Sequence, residues 1–269
     1  MSHPKIVSQS KWLAARKKLL TREKAMMKKQ DALNAERRRL PMVLVDKPYA
    51  FTAENGKSAS LLDLFAGRRQ LIIYHFMFDP NDPPPGKTDP FTEGCPGCSF
   101  MVDNMPHVSH LNARDTSLVL VSRAPQKKIK PFKKRMGWTL PWYSSFGSDF
   151  NFDFHVTTDE SIAPVEYNYK NFATMKKEKL TYHMKGEQPG ISTFLCIDGK
   201  PYHTYSTYGR GLDFVITTNH YLDLTAYGRM QDFEVSPKGW PKPAGAQGLG
   251  IKHHDKYGDA TKGSCTCKT

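Results

Sequence analysis

No apolar run in this chain approaches the roughly 18–20 residues that a membrane helix needs, so no segment predicts a membrane span and no membrane partner is expected. No apolar stretch near Met1 predicts a signal-peptide core, and a cytoplasmic location is the expectation. Cysteine is scarce: five in 269 residues, unevenly placed. That excludes the disulfide framework of a small secreted scaffold and favours a reducing compartment, where a close cysteine pair serves catalysis or metal binding. Acids are missing from Met1 to Arg22, a trait of mitochondrial transit peptides, but the helical pattern runs on through Glu23 and Asp31 and argues against cleavage there. No internal repeat is visible. Nor does any nucleic-acid-binding motif accompany the formal charge of +13, whose basic runs are scattered at Arg16–Lys18, Arg37–Arg39, Lys127–Lys128 and Lys133–Arg135. A solvated basic surface is expected, and a nucleic-acid partner is not.

Hydrophobic residues make up 39% of the chain, enough for a sizeable core in one domain with appendages. Trp12, Leu19, Met26, Leu33 and Leu40 recur every seven positions beside Leu13, Leu20 and Met27, which predicts one amphipathic helix from about Ser8 to Leu40, capped by Ser8 or Ser10 and stopped by Pro41. This arm, residues 1–41, either packs on its own domain or pairs with a second copy, and a homodimer through the helix is the expected assembly. Residues 42–235 read as the main domain. Tyr49–Phe51, the turn at Asn55-Gly56 and Ser60–Phe65 form a hairpin and a short helix; Leu71–Phe76 and Ser117–Val121 are buried strands; Ser99–Leu111 is a helix interrupted at Pro106. Pro125–Met136 is a basic helix, and Asp149–Thr157, with Phe150, Phe152 and Phe154 in alternation, a strand in an insertion. Ile191–Ile197 and Tyr202–Tyr208 form a hairpin across Asp198-Gly199, and Asp213–Leu224 a closing helix. Trp138, Trp142, Tyr143 and the phenylalanines are expected in the core. Residues 236–269, rich in Gly, Pro and Lys, read as an irregular tail. The fold class predicted from this order of strand, helix opening on a Cys pair, strand, helix, hairpin and helix is α/β and thioredoxin-like.

The chemistry is expected at Cys95-Pro96-Gly97-Cys98. Cysteines three apart at a helix start lie on one face. The first meets unpaired amides and the helix dipole, which favour its thiolate, and the second sits a turn inside. Cys95 is then the nucleophile and Cys98 the resolver, with Pro96 at the first helical position, where its missing N–H costs nothing, and Gly97 between. Two alternatives remain open at this level: an inert pair, and half of a zinc site completed by Cys265, Cys267, His253 and His254. Cys265-Thr266-Cys267 also suits a shuttle that carries electrons to or from Cys95.

Trp12–Arg16, Arg37–Pro41, Tyr74–Phe78, Gly94–Ser99, Ser122–Pro125 and His203–Asp213 together resemble the thioredoxin-like family catalogued as domain of unknown function 899. The resemblance implies a thioredoxin-like fold with a peroxiredoxin-like N-terminal hairpin and a dithiol–disulfide oxidoreductase activity. A thiol or disulfide substrate, or a small electron donor, is the expected partner, and no cofactor is expected. Departures from the thioredoxin pattern matter. Where thioredoxins read Gly-Ile-Pro-Thr opposite the dithiol, with a cis proline, this chain reads Gly190-Ile191-Ser192-Thr193, and a cis bond before serine would cost about 2.5–4 kcal/mol. Ser192 is therefore expected in a trans peptide beside the dithiol. Gly94 stands where a tryptophan usually precedes the first cysteine. Thr92 matches the peroxiredoxin threonine three residues before the reactive cysteine, although the proline of that motif would fall at Thr88. A thiol peroxidase would also need a cation at the thiolate, for which Arg123 is the candidate. His75 and His203 could complete a copper site with the thiols, the metal-carrier alternative on the same fold.

Overall fold

The computed structural model describes residues 3–81, 92–231, 234–241 and 250–258. Two compact units result. One comprises Met1–Val43 and Asn219–Leu249, the other Leu44–Thr218 and the chain from Gly250.

In the first unit α1 (Gln9–Arg37) is the expected long helix, with the Ser8 hydroxyl accepting from the Lys11 N–H at 3.4 Å. None of its residues is buried, and Trp12, Leu19, Met26 and Leu33 are about half exposed. Among the described residues no helix is long and apolar enough to cross a membrane.

The second unit is built on one mixed sheet. After the short β1 (Val43–Leu44) come the hairpin strands β2 (Phe51–Thr52) and β3 (Ser58–Ala59), then β4 (Gln70–His75). Helices α2 (Pro96–Asp103) and α3 (Val108–Asn112) lead to β5 (Thr116–Ser122), and α4 (Gln126–Arg135) to β6 (Trp142–Ser144). An insertion follows: α5 (Phe150–Asp153), β7 (Thr157–Thr158), β8 (Glu166–Tyr167), β9 (Lys170–Asn171), α6 (Phe172–Lys177) and β10 (Gly186–Glu187). The hairpin β11 (Gly190–Ile197) and β12 (Lys200–Tyr208) then precedes α7 (Thr217–Asp223). Asp198 and Gly199, both at positive φ, make its two-residue turn in the hand that matches strand twist.

The sheet order is β1-β12-β11-β4-β5-β6-β2-β3. Its centre, β12-β11-β4-β5, has β4 and β5 parallel and β11 antiparallel to both neighbours, which is the thioredoxin arrangement. Burial on both faces makes β4 and β5 continuous apolar runs rather than alternating ones. Alternation still decides which face each side chain enters. Leu71, Ile73, Val119, Val121 and Phe194 join a core beneath the N-terminal hairpin and the insertion; Tyr74, Leu118 and Leu120 join a second core with α2, α4 and Trp142.

Three expectations need correction. Residues 149–157 are not a strand: α5 puts Phe150 and Phe154, four apart, on one helical face with ring centroids 4.6 Å apart, and both are buried in the first core. Phe152 turns the other way and lies under the Arg123 guanidinium, 4.8 Å from its carbon. A strand would have sent all three rings to one side. The closing helix is shorter than Asp213–Leu224, because a 3₁₀ segment (Gly209–Val215) comes first and the Asn104 carboxamide caps α7 through Thr217 and Thr218. The tail is not wholly irregular, since Gly250–Gly258 belongs to the second unit and includes a 3₁₀ turn (His254–Lys256).

Candidate active site

Cys95 is the N-cap of α2, with an extended-type backbone (φ −56°, ψ 129°), and Pro96 occupies the first helical position. Both thiols are free. Cys98 is buried at 2% exposure, whereas Cys95 is half-buried beside the exposed Pro96 and Gly97, so Cys95 is the more exposed of the pair. The Gly94–Cys95 peptide is held at both ends. Its N–H donates to the Met77 carbonyl at 3.1 Å and its carbonyl accepts from His253 Nε2 at 2.9 Å. The Met77 N–H in turn points at Cys98 Sγ, 3.3 Å away.

The two sulfurs differ in electrostatics. The Cys98 thiol, donating to the Cys95 sulfur, draws the Cys95 pKa down to about 7 against the opposing effect of burial, and the Cys98 and Gly97 amides at the helix start add to it. Cys98 goes the other way: burial, and then the neighbouring Cys95, push it well above an ordinary thiol, although the Tyr74 phenol and the Met77 amide favour its thiolate. One sulfur is thus poised to ionise and the other to hold its proton.

Gly94 has a steric reason. A Cβ there would stand 2.4 Å from Cε1 of Phe76 and 3.0 Å from Cε1 of Phe132, so the loop enters α2 pressed on these rings and no tryptophan could occupy the position. Phe76, Phe132, Trp138 and Trp142 form an aromatic cluster beneath, with Phe76 and Trp142 centroids 4.5 Å apart.

Several residues singled out in the sequence do not join the dithiol. Strand alternation turns Ile191 toward the core that contains Cys95 and Cys98, and sends Ser192 to the opposite face. There a chain of hydrogen bonds runs from His75 Nε2 to Ser192 Oγ (2.8 Å), to Ser206 Oγ (2.8 Å) and to His203 Nε2 (2.7 Å), among Phe150, Phe154 and Phe194. Burial drives the His75 pKa down to about 3, so its ring is neutral. Both histidines therefore lie on the far side of the sheet from the thiols, each bonded through Nε2, with the buried Nδ1 of His75 left without a partner among the described residues. Arg123 directs its guanidinium to Glu187 at 3.0 Å and to the Phe152 ring. Thr92 is exposed. His253 and His254 are engaged with Gly94 and Asp103. Among the described residues no group of three or more His, Cys, Asp or Glu side chains is arranged to hold a metal, and Cys265 and Cys267 lie outside those residues.

The sequence reading missed Tyr74, whose phenol approaches the Cys98 sulfur from β4, and Tyr167, whose hydroxyl bridges the Pro189 carbonyl and the Gly209 N–H at 2.9 Å each. Strand alternation could have found Tyr74, which lies two residues beyond Ile72 on the dithiol side.

Comparison with the solved structures returns thioredoxin-like proteins at low similarity. A cysteine-to-serine variant of PrxQ from Xylella fastidiosa is 13% identical, with 68% of this chain and 94% of that chain covered and a TM-score of 0.37. The peroxidoxin BcpB from Mycobacterium tuberculosis is also 13% identical, over 66% and 94%, at a TM-score of 0.35. BsSco, of the Sco family of cytochrome c oxidase assembly proteins, is 16% identical over 66% and 92%, again at 0.35. No curated protein matches. The profile of one family runs through α1, the dithiol and the hairpin alike, matching residues 1–257, and the chain belongs to that family, DUF899, described as a bacterial protein of unknown function.

Proposed function

We propose that this protein is a thiol–disulfide oxidoreductase in which Cys95 attacks and Cys98 resolves. The observation that carries the reading is the asymmetry of the pair at the start of α2: a half-buried N-cap thiol, whose thiolate its neighbours favour, beside a thiol that is 2% exposed and that burial holds protonated. The Cys95 thiolate attacks one sulfur of a substrate disulfide, forms a mixed disulfide and expels the other half as a thiolate. Cys98 then loses its proton and attacks Sγ of Cys95. The substrate's remaining thiolate leaves, two electrons have passed to the substrate, and the protein holds Cys95–Cys98 as a disulfide. The Tyr74 phenol and the Met77 amide supply hydrogen bonds for the Cys98 thiolate that this second step requires. Pro96 and Gly97 lie exposed beside the outer sulfur, and Ile191, the neighbour of Ser192, packs on the core that holds the pair.

A redox titration with thiol trapping tests this reading, because a cycling pair must interconvert as a unit. The peroxidase alternative finds less support, since the Arg123 guanidinium is already held by Glu187 and Phe152.

A further inference from the structure

We propose that residues His253–Lys256 form a clasp that positions the Cys95 nucleophile, with His253 as the positioning residue. Three of the four side chains bond to the dithiol helix or the loop that enters it, and the fourth to α4 beside it. His253 Nε2 donates to the Gly94 carbonyl at 2.9 Å, and His254 Nδ1 meets Asp103, the last residue of α2, at 2.9 Å. Asp255 pairs with Arg135 Nε at 2.9 Å, and Lys256 Nζ with Glu93 at 2.7 Å. Arg135 also reaches Glu93, so the loop before Cys95 is gripped from α4 and from the clasp together. The Trp138 indole donates to the same Asp103 carboxylate at 2.8 Å.

The centre of this network is built into the fold. His253 is 3% exposed, with its ring edge-to-face on Phe132 at 5.4 Å. Phe132 is also one of the two rings against which Gly94 is pressed. The peptide unit that His253 holds by its carbonyl is the one that Met77 holds by its N–H, so both polar atoms of the bond preceding the Cys95 Cα are fixed. That fixes the direction of the Cys95 side chain, and with it the approach of Sγ to the Gly97 and Cys98 amides. Without the His253 N–H, the Gly94–Cys95 peptide keeps only its Met77 anchor and the buried Gly94 carbonyl loses its partner, which loosens the alignment of the sulfur with the helix start. The charged and titratable groups around the pair are Cys98 in α2, Tyr74 from β4, Tyr167 and Tyr182 from the insertion, Glu93 in the loop, Arg135 from α4 and the clasp itself.

The role rests on the oxidoreductase reading, but its readout does not. The experiment follows alkylation of Cys95 by iodoacetamide as a function of pH in the full chain, mapped by mass spectrometry, for the native protein, His253→Leu and His253→Gln. The leucine variant is expected to raise the inflection and slow alkylation at pH 7 by threefold or more. Glutamine retains an N–H at similar reach and is expected to stay within twofold of native. A folded His253→Leu protein with native inflection and rate overturns the clasp. If that variant does not fold, the exposed pair His254→Ala with Lys256→Ala takes its place; about a twofold loss in the same direction supports the proposal, and an unchanged profile overturns it. A native protein that forms no Cys95–Cys98 disulfide in glutathione buffers would sink the oxidoreductase reading while leaving the effect of His253 on alkylation readable.

Discussion

Replacing Cys98 with alanine isolates what the inner thiol does for the outer one. The Cys98 S–H is the largest influence lowering Cys95, and burial of Cys95 works against it. With the donor removed, only the Gly97 and Cys98 amides still favour the thiolate, and burial remains. The Cys95 pKa is then expected to rise by one unit or more, from about 7 to about 8 or above. At pH 7 the thiolate fraction falls from roughly one half to roughly one tenth, about a fivefold loss of the reactive form. Greater basicity returns some reactivity per thiolate: with a Brønsted slope of about 0.4–0.5, one unit gives back nearly threefold. The rate at a single pH is therefore a blunt readout, and the inflection of the profile is the sharp one. Alkylation of Cys95 in Cys98→Ala should be followed from pH 5 to pH 10, with each site mapped by mass spectrometry. An inflection that stays near 7 would refute the assignment of Cys98 as the stabilising donor.

Two further predictions concern stability. Glu187 is buried at the Arg123 contact, and burial raises its pKa to about 7 despite that cation and the Thr157 hydroxyl. Between the unfolded value near 4.5 and about 7 the native state keeps a proton that the unfolded state has lost. Stability should fall as pH rises through that window, by about 3 kcal/mol, and level off above it. Urea denaturation at pH 5 and pH 8 should show this drop in the native protein and a much smaller one in Glu187→Gln; an equal drop in both would contradict the account. Gly94→Ala places a Cβ 2.4 Å from the buried Phe76 ring and should cost about 1–3 kcal/mol by overpacking, read as a lower urea midpoint; an unchanged midpoint would contradict it.

The parts of the fold set by local pattern were legible in the sequence. The apolar runs of β4 and β5, the Asp198-Gly199 turn, the Ser8 cap and the Pro96 helix start all act over a few residues. The misreadings share a cause, which is that one spacing admits two geometries. Phe150, Phe152 and Phe154 alternate like a strand, yet the first and last also sit one helical turn apart, and the need of the first core for two large rings decided the matter. Ser192 corresponds in sequence to the thioredoxin proline, but the pleat of β11 turns it toward His75. His253 carries no local signal at all. Its partner lies far back in the chain at Gly94, and only the folded structure brings the two together.

The central claim is that Cys95 and Cys98 cycle as one two-electron couple, and the most direct measurement is mass spectrometry after thiol trapping across a glutathione redox series. The account predicts a reversible loss of two hydrogens mapped to Cys95–Cys98, absent in Cys95→Ser, with a mixed disulfide at Cys95 accumulating in Cys98→Ser. Two thiols that remain reduced at every poise, with no mixed disulfide in the Cys98→Ser protein, would contradict it.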